Sequence, residues 1–347
     1  MGRVKNIAII GHFGGNEEIL DGQTVKTKIL YNELKNTTDW SIKKVDTYYK
    51  AKKPLKLLWD TLKCMLTTKH IIVLLSRNGM RFYFPLLSFF ANLFGTKVYH
   101  DVIGGSLDKL ILQYPGFRDY LNNFKVNWVE SAGLKERLEN LGVLNCEVMP
   151  NFKRLHVLTQ YSGEYTEPYR FCIFSRVMKE KGVEAAIEAI EAINTSLDRK
   201  ICVLDIYGRI DDGYKSRFEE IMQNVSNAVN YKGIVPYDKS VKAIKDYYAL
   251  LFPTYWDGEG FPGTIVDAFS AGLPVIATDW NCNAEIVDNM KTGIIYPNKE
   301  ISDLRSAIEW CIAHKEEVVN WKNNCLQKAR KYKPDSYIKH IIKTIEE

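Results

Sequence analysis

The chain has 347 residues, 46% hydrophobic and 26% charged: long enough for two domains with buried cores, and too apolar for a disordered polymer. Its net charge of +5 is uneven. Residues 1–151 hold 21 Lys and Arg against 14 Asp and Glu, so the whole positive surplus lies in the first half, either as a solvated surface or as an attraction for anionic lipid or a phosphate-bearing substrate.

The opening MGRVKNIAIIGHFGG reads as a first strand met at once by glycines, without the small-residue cleavage site of a signal peptide. Short β-branched runs then alternate with amphipathic segments, the pattern of a parallel sheet covered by helices. Strands are predicted over 5–10, 43–46, 70–75, 97–101, 126–129 and 146–149, and helices over 22–34, 55–66, 84–94 and 133–141. Residues 82–94 are the most apolar stretch, shorter than the ~20 residues of a membrane span and interrupted by Pro85 and Asn92, which predicts a buried helix. Residues 55–69 carry Lys56, Lys63 and Lys69 among leucines and Trp59; an ordinary core-facing helix is favoured over one lying on an anionic membrane surface.

Near Pro150-Asn151 the strand signal stops, and a polar stretch over 153–169 marks a joint. Alternation restarts with strands over 171–174, 200–207, 229–232, 249–252, 274–277 and 292–295, separated by helices over 182–193, 214–225, 240–248, 264–271 and 301–314. The expected organisation is an N-terminal domain over 1–160, a C-terminal domain over 161–330, and a last helix within 331–347 that crosses back to the first domain. Ligands of open α/β sheets bind beyond the carboxyl ends of the strands, so a cleft between the two halves is expected to hold them. No repeat of 20–50 residues is visible. The seven scattered cysteines (Cys64, Cys146, Cys172, Cys202, Cys282, Cys311, Cys325) disfavour metal knuckles and suggest reduced thiols in a cytoplasmic protein.

Chemistry concentrates in TYWDGEGFPGTIVDAFSAGLPVIAT, residues 254–278. Glycines 258, 260 and 263 let backbone N–H groups approach a ligand, and the helix starting near Thr264 presents its unpaired N–H groups to the same place. Glu259 stands between two glycines on the loop. Asp267 follows eight positions later, where it either chelates ligand hydroxyls with Glu259 or closes a Thr264-x-x-Asp267 capping box. In the stretch around FSRVMKEKG, Arg176 and Lys181 follow a strand and suit a diphosphate, with two solvated loop cations as the alternative. The turn GHFGG after the first strand resembles a phosphate cradle without the G-x-G-x-x-G spacing or a Walker lysine. In VYHDVIGGSL, residues 98–107, His100 could orient a sugar or shuttle a proton, or be structural.

Together these blocks resemble a retaining, nucleotide-sugar-dependent glycosyltransferase of the large family 4, of the bacterial polysaccharide-assembly type, with the α/β GT-B fold of two Rossmann-like domains facing each other across a cleft. FSRVMKEKG matches the family's Arg…Lys-Gly diphosphate motif. DIYG (205–208) and YKGIVP (231–236) match the strand and base-pocket blocks, EGFPGTIVDAFSAGLPVIAT matches the two-acid block, and VMPNF (148–152) matches the inter-domain crossing. The resemblance implies that Arg176 and Lys181 bind the donor diphosphate and that Glu259 holds hydroxyls of the transferred sugar. Gly260, Phe261, Pro262, Gly263 and Thr264 would contact sugar and phosphate through their backbone, and Asp267 the ribose. Gly233 and Val235 would flank the base, with Gly14 and Gly15 approaching the phosphates from the other domain. Catalytic work is assigned to Glu259, Arg176, Lys181 and His100. Two positions depart from the family pattern: Asp267 replaces a more frequent Glu, and Ile103 stands where many relatives carry a His before the Gly pair.

The implied reaction moves a hexosyl or deoxyhexosyl unit from a nucleotide-diphosphate sugar, UDP foremost, without cofactor or required metal and with no nucleic-acid partner. The acceptor would be a glycan or lipid-linked glycan for capsule, O-antigen or exopolysaccharide, handled in the cytoplasm or at the inner face of the plasma membrane. A nucleotide-sugar 2-epimerase of similar architecture and a non-catalytic donor-binding partner subunit are the alternatives. A glycosidase fits less well, because a neutral glycoside has no use for the cationic pair.

Overall fold

The computed structural model describes residues 5–17, 21–160, 166–297 and 301–347; the first four residues of the opening segment and residues 161–165 of the polar joint lie outside them. The chain divides into two units, Met1–Arg154 with Lys333–Glu347, and Leu155–Tyr332.

In the first unit the order is β1 (Asn6–Gly11), α1 (Gly22–Thr37), β2 (Ser41–Asp46), α2 (Pro54–Thr67), β3 (His70–Leu74), α3 (Arg77–Phe94), β4 (Lys97–Asp101), α4 (Leu107–Gln113), α5 (Gly116–Asn122), β5 (Val126–Val129), α6 (Ala132–Asn140) and β6 (Cys146–Val148). The sheet is parallel with strand order β2-β1-β3-β4-β5-β6. Ile7, Ala8, Ile9 and Ile10 are all fully buried, as a central parallel strand covered on both faces requires. Asp21 caps α1, its Oδ1 accepting the Thr24 N–H at 3.0 Å.

The second unit repeats the plan: β7 (Tyr169–Phe174), α7 (Val183–Ser196), β8 (Cys202–Tyr207), α8 (Lys215–Asn224), β9 (Val229–Gly233), α9 (Ser240–Ile244), β10 (Ala249–Phe252), α10 (Gly263–Ser270), β11 (Val275–Thr278), α11 (Asn283–Ile286), β12 (Gly293–Tyr296), α12 (Ile301–Ala313) and α13 (Lys315–Ala329). Its parallel sheet runs β12-β11-β10-β7-β8-β9. β7 and β10 are neighbours, with Ala249 opposite Phe171, so the loops that follow them are brought side by side. A last helix, α14 (Pro334–Glu346), belongs to the first unit, where Ile338, Ile341 and Ile345 join the core under α1. Arg154 is held there by Glu33 and, at 3.3 Å, by Asp335.

Several details differ from expectation, among them α13 (Lys315–Ala329), for which no helix is predicted, and α9, which ends at Ile244 rather than 248. The division falls between Arg154 and Leu155 rather than at 160/161, because Leu155, Val157 and Leu158 pack on the second unit's core and the Leu158 N–H donates to the Ser270 carbonyl at 3.1 Å. α4 and α5 break the connection between β4 and β5; each has only seven residues, too few turns for a periodic signal. Finally, α3 is not a buried helix: it runs from Arg77 with one face in the core and Phe82, Phe89, Leu93 and Phe94 exposed.

Candidate functional site

The loop after β7 holds Arg176 and Lys181, and the loop after β10 holds Glu259. Their approach depends on two glycines. Gly182 is left-handed (φ 71°), and a Cβ there would lie 2.2 Å from the Pro253 carbonyl oxygen, so only glycine lets the two loops meet. Gly208, after β8, has φ 138°, and a Cβ would lie 1.8 Å from the Ser175 oxygen. Gly182 therefore ends a short 3-10 turn over Lys179–Lys181, and α7 begins at Val183, one residue later than the sequence pattern places it.

Lys181 and Glu259 form a buried ion pair, each side chain about 8% exposed. The Thr254 hydroxyl donates to the same Glu259 oxygen, Oε2, at 3.1 Å. The loop is fixed through its backbone as well: the Glu259 N–H donates to the Trp256 carbonyl at 3.0 Å, Trp280 Nε1 donates to that carbonyl at 2.9 Å, and Asn281 Nδ2 donates to the Glu259 carbonyl at 3.0 Å. The Trp256 ring lies beside both cations, with the Arg176 guanidinium carbon 5.2 Å and Lys181 Nζ 4.9 Å from its centroid. Arg176 is half exposed and approaches Asp211 at 3.8 Å. Arg176 and Lys181 thus flank one indole, Trp256, which the sequence pattern does not single out, and the Lys181–Glu259 ion pair is not among the expectations either.

α10 starts directly after this loop, and its cap is Pro262. Thr264 is consequently the second helical residue, not the cap that a Thr264-x-x-Asp267 box requires, and its hydroxyl donates to the Phe174 carbonyl at the end of β7. Asp267 is 2% exposed, with Oδ1 accepting the Ser240 hydroxyl at 2.8 Å. Phe261 is buried against Tyr332, ring centroids 5.1 Å apart, and Cys282 Sγ donates to the Gly260 carbonyl. That segment is anchored by its side chain and offers a ligand mainly backbone, from Gly260 through Pro262 to Gly263 and Thr264. Gly233 closes β9 in the left-handed conformation (φ 78°), with Val235 half-buried beyond it. Beneath, Asp205 on β8 is enclosed by Arg170 (2.8 Å), Tyr247 (2.5 Å) and Asn230 (3.1 Å), a closed network that stiffens the sheet under these loops.

The first unit's expected residues behave differently. The N–H groups of Phe13 and Gly15 both donate to the Asp46 carboxylate, at 2.9 Å each, so the turn holding Gly14 and Gly15 already has an internal anion as its organiser. His100 is fully buried, packed edge-on against Phe84 (5.0 Å) and Phe124 (6.2 Å), with Nδ1 3.1 Å from Asn127 Oδ1. Burial pushes its pKa down to about 4, so it is a neutral core side chain rather than a sugar-orienting or proton-shuttling group. Its neighbour Asp101 faces the opposite side of the sheet and pairs with buried Lys26 at 2.6 Å, which also reaches Glu130 at 3.0 Å. Among the described residues, no group of three or more His, Cys, Asp or Glu is arranged to hold a metal ion.

Residues 158–328 match the family model described as Glycosyl transferases group 1. An uncharacterized glycosyltransferase of Methanocaldococcus jannaschii is 24% identical over 317 residues, covering 83% of this chain and 71% of the relative. Among solved structures, sucrose-phosphate synthase of Thermosynechococcus elongatus superposes with a TM-score of 0.79 at 14% identity, covering 99% of this chain and 98% of that one. Anabaena HepE in complex with UDP and glucose gives 0.72 at 13% identity, covering 98% and 99%. The fold is that of GT-B glycosyltransferases, and the matched domain and the shared fold support a glycosyltransferase.

Proposed function

We propose that the protein transfers a hexosyl or deoxyhexosyl unit from a nucleotide-diphosphate sugar, with UDP the first nucleotide to test, to a glycan or lipid-linked glycan acceptor, with retention at the anomeric carbon and no required metal. The observation that carries this reading is the convergence of Arg176 and Lys181 with Glu259 at the carboxyl ends of adjacent strands. Two cations there meet a diphosphate, and a buried carboxylate beside them accepts sugar hydroxyls. The bond that breaks joins the anomeric carbon to the diphosphate oxygen, and its electron pair leaves with the nucleotide. Arg176 and Lys181 stabilise that charge as it develops, the kind of preorganised electrostatics that dominates many enzymic rate enhancements. The acceptor's hydroxyl oxygen bonds to the anomeric carbon on the face the diphosphate leaves, and a departing phosphate oxygen takes its proton. Asp267, set by Ser240, receives the ribose hydroxyls, and Gly233 with Val235 lines the base.

The UDP bound to Anabaena HepE, which shares the fold, supports the choice of nucleotide. A capsule, O-antigen or exopolysaccharide product follows from the same family resemblance and belongs to this proposal. The test is thermal stabilisation by UDP, GDP, ADP, CMP and dTDP and their sugars, since a ligand that binds the native state raises the melting temperature. Selective stabilisation by one diphosphate and its sugars is expected. No shift with any of them at millimolar concentration would overturn the donor assignment.

A further inference from the structure

On one face of the first sheet, α2 and α3 lie side by side. Cys64 and Met65 of α2 and Met80, Tyr83, Phe84 and Leu87 of α3 enter the same core, and the Thr61 and Tyr83 hydroxyls meet at 3.2 Å. Flanking the core-facing side, each helix carries a second apolar stripe: Leu55, Trp59, Leu62 and Leu66 on α2, and Phe82, Leu86, Phe89 and Leu93 on α3, with Leu62 and Leu86 partly buried against the core and the other six exposed. Both follow the spacing i, i+4, i+7, i+11, which places four residues on one helical face. Leu55 is 82% exposed, Trp59 68%, Phe89 57% and Leu93 61%. Scattered exposed hydrophobics need no explanation, but six large ones at helical spacing on two helices that share one core call for one.

The charge around these residues is mostly positive, with Lys56 paired to Asp60 at 2.8 Å and Lys52 to Glu17 at 3.2 Å. Residues 50–94 contain Lys50, Lys52, Lys53, Lys56, Lys63, Lys69, Arg77 and Arg81, and Asp60 is their sole acid. All eight cations are exposed. No helix among the described residues is long and apolar enough to cross a membrane. Apolar stripes bordered by cations instead match the layered chemistry of an anionic lipid surface, with phosphate headgroups above acyl chains.

We propose that the α2–α3 face docks flat on an anionic lipid bilayer, with Leu55, Trp59, Phe82, Phe89 and Leu93 entering the acyl boundary and the surrounding lysines and arginines pairing with headgroups. The proposal rests on this surface alone and not on the transfer reaction proposed above. The experiment is co-sedimentation of the full chain with vesicles of phosphatidylcholine, and of phosphatidylcholine with 30% phosphatidylglycerol, at low and high salt. Expected is at least tenfold stronger binding to the anionic vesicles at low salt, weakened by salt as exposed charge pairing is. A Trp59→Ser/Phe89→Ser variant and a Lys56→Glu/Lys63→Glu variant should each lose about tenfold in binding. Both should keep the wild-type melting temperature and the same response to nucleotides, since none of the four side chains is buried. Absence of binding at low salt, equal binding to both vesicles, or wild-type binding by either variant would overturn the proposal. So would a concentration-dependent dimer, seen by sedimentation, that Trp59→Ser/Phe89→Ser dissolves, because the face would then be covered by a second copy of the chain.

Discussion

Lys181 and Glu259 are 78 positions apart in sequence and form one buried ion pair, with Thr254 donating to the same carboxylate oxygen. A buried pair costs most when only one partner is removed, because the other charge is left without compensation, by about 3–5 kcal/mol. Lys181→Met is therefore expected to lose stability as well as turnover. The double variant Lys181→Met/Glu259→Gln should regain most of the stability while turnover stays lost. Urea denaturation beside a donor-consumption assay separates the two. Equal stability of the single and double variants would show that the pair is not coupled as the geometry requires.

Arg176 makes a different test, because it is half exposed and its one carboxylate contact is long, 3.8 Å to Asp211. Its loss should leave the melting temperature unchanged and lower kcat about 10²–10³-fold, the usual effect of deleting one charge-stabilising donor. Trp256 orients this cation from beneath the guanidinium. Cation–π contacts contribute about 0.5–2 kcal/mol, so Trp256→Ala should lower kcat/KM by about tenfold and Trp256→Phe by less. Identical kinetics for the Ala and Phe variants would remove the ring from the assignment.

The parts of this site that were legible in the sequence are those that break a local pattern. Glu259 is an acid between glycines, and Arg176 and Lys181 are cations directly after an apolar strand. Trp256 was not legible, because a loop aromatic has no period and its partners are chosen by the contact between two loops. His100 illustrates a different difficulty. Along β4, Val98 and His100 point to one face and Tyr99 and Asp101 to the other, yet the two phenyl rings against His100, Phe84 of α3 and Phe124 of the turn between α5 and β5, meet it only through tertiary packing. The central strands, such as β1 and β3, are legible because a strand buried on both faces of a parallel sheet is a continuous apolar run. The second face of α3 is not legible because a helix with apolar residues on two faces has the same sequence pattern whether one or both are covered.

Asp267 tests the donor geometry independently of the ion pair. Its carboxylate is held by Ser240 at 2.8 Å and is almost fully buried. A hydrogen bond to a charged group contributes about 1.5–3 kcal/mol, so Asp267→Asn should raise the donor KM by roughly ten- to a hundredfold with a smaller change in kcat. Asp267→Glu, which supplies the residue more frequent in the resembling family, should stay within a few-fold of wild type. A KM unchanged by Asp267→Asn would move the ribose contact elsewhere.

His100 offers a prediction in pH. Burial depresses its pKa from 6.5 to about 4, so the folded state holds it neutral while the unfolded chain takes up a proton. The stability it contributes is complete above pH 6.5 and is lost as pH falls through the window from 6.5 to 4, at about 1.4 kcal/mol per pH unit. Asp101, raised by burial from 3.8 to about 6, acts in the opposite sense: its burial cost is relieved as pH falls over nearly the same window. The two groups partly cancel in the wild-type protein. In His100→Leu the first is gone, so the cost of the substitution at pH 7.5 should shrink by about 3 kcal/mol at pH 4.5, measured by urea denaturation. Turnover at neutral pH should remain within a few-fold of wild type, because the imidazole is enclosed by Phe84 and Phe124. A loss of turnover of several orders of magnitude in a folded His100→Leu protein would return the histidine to the catalytic machinery.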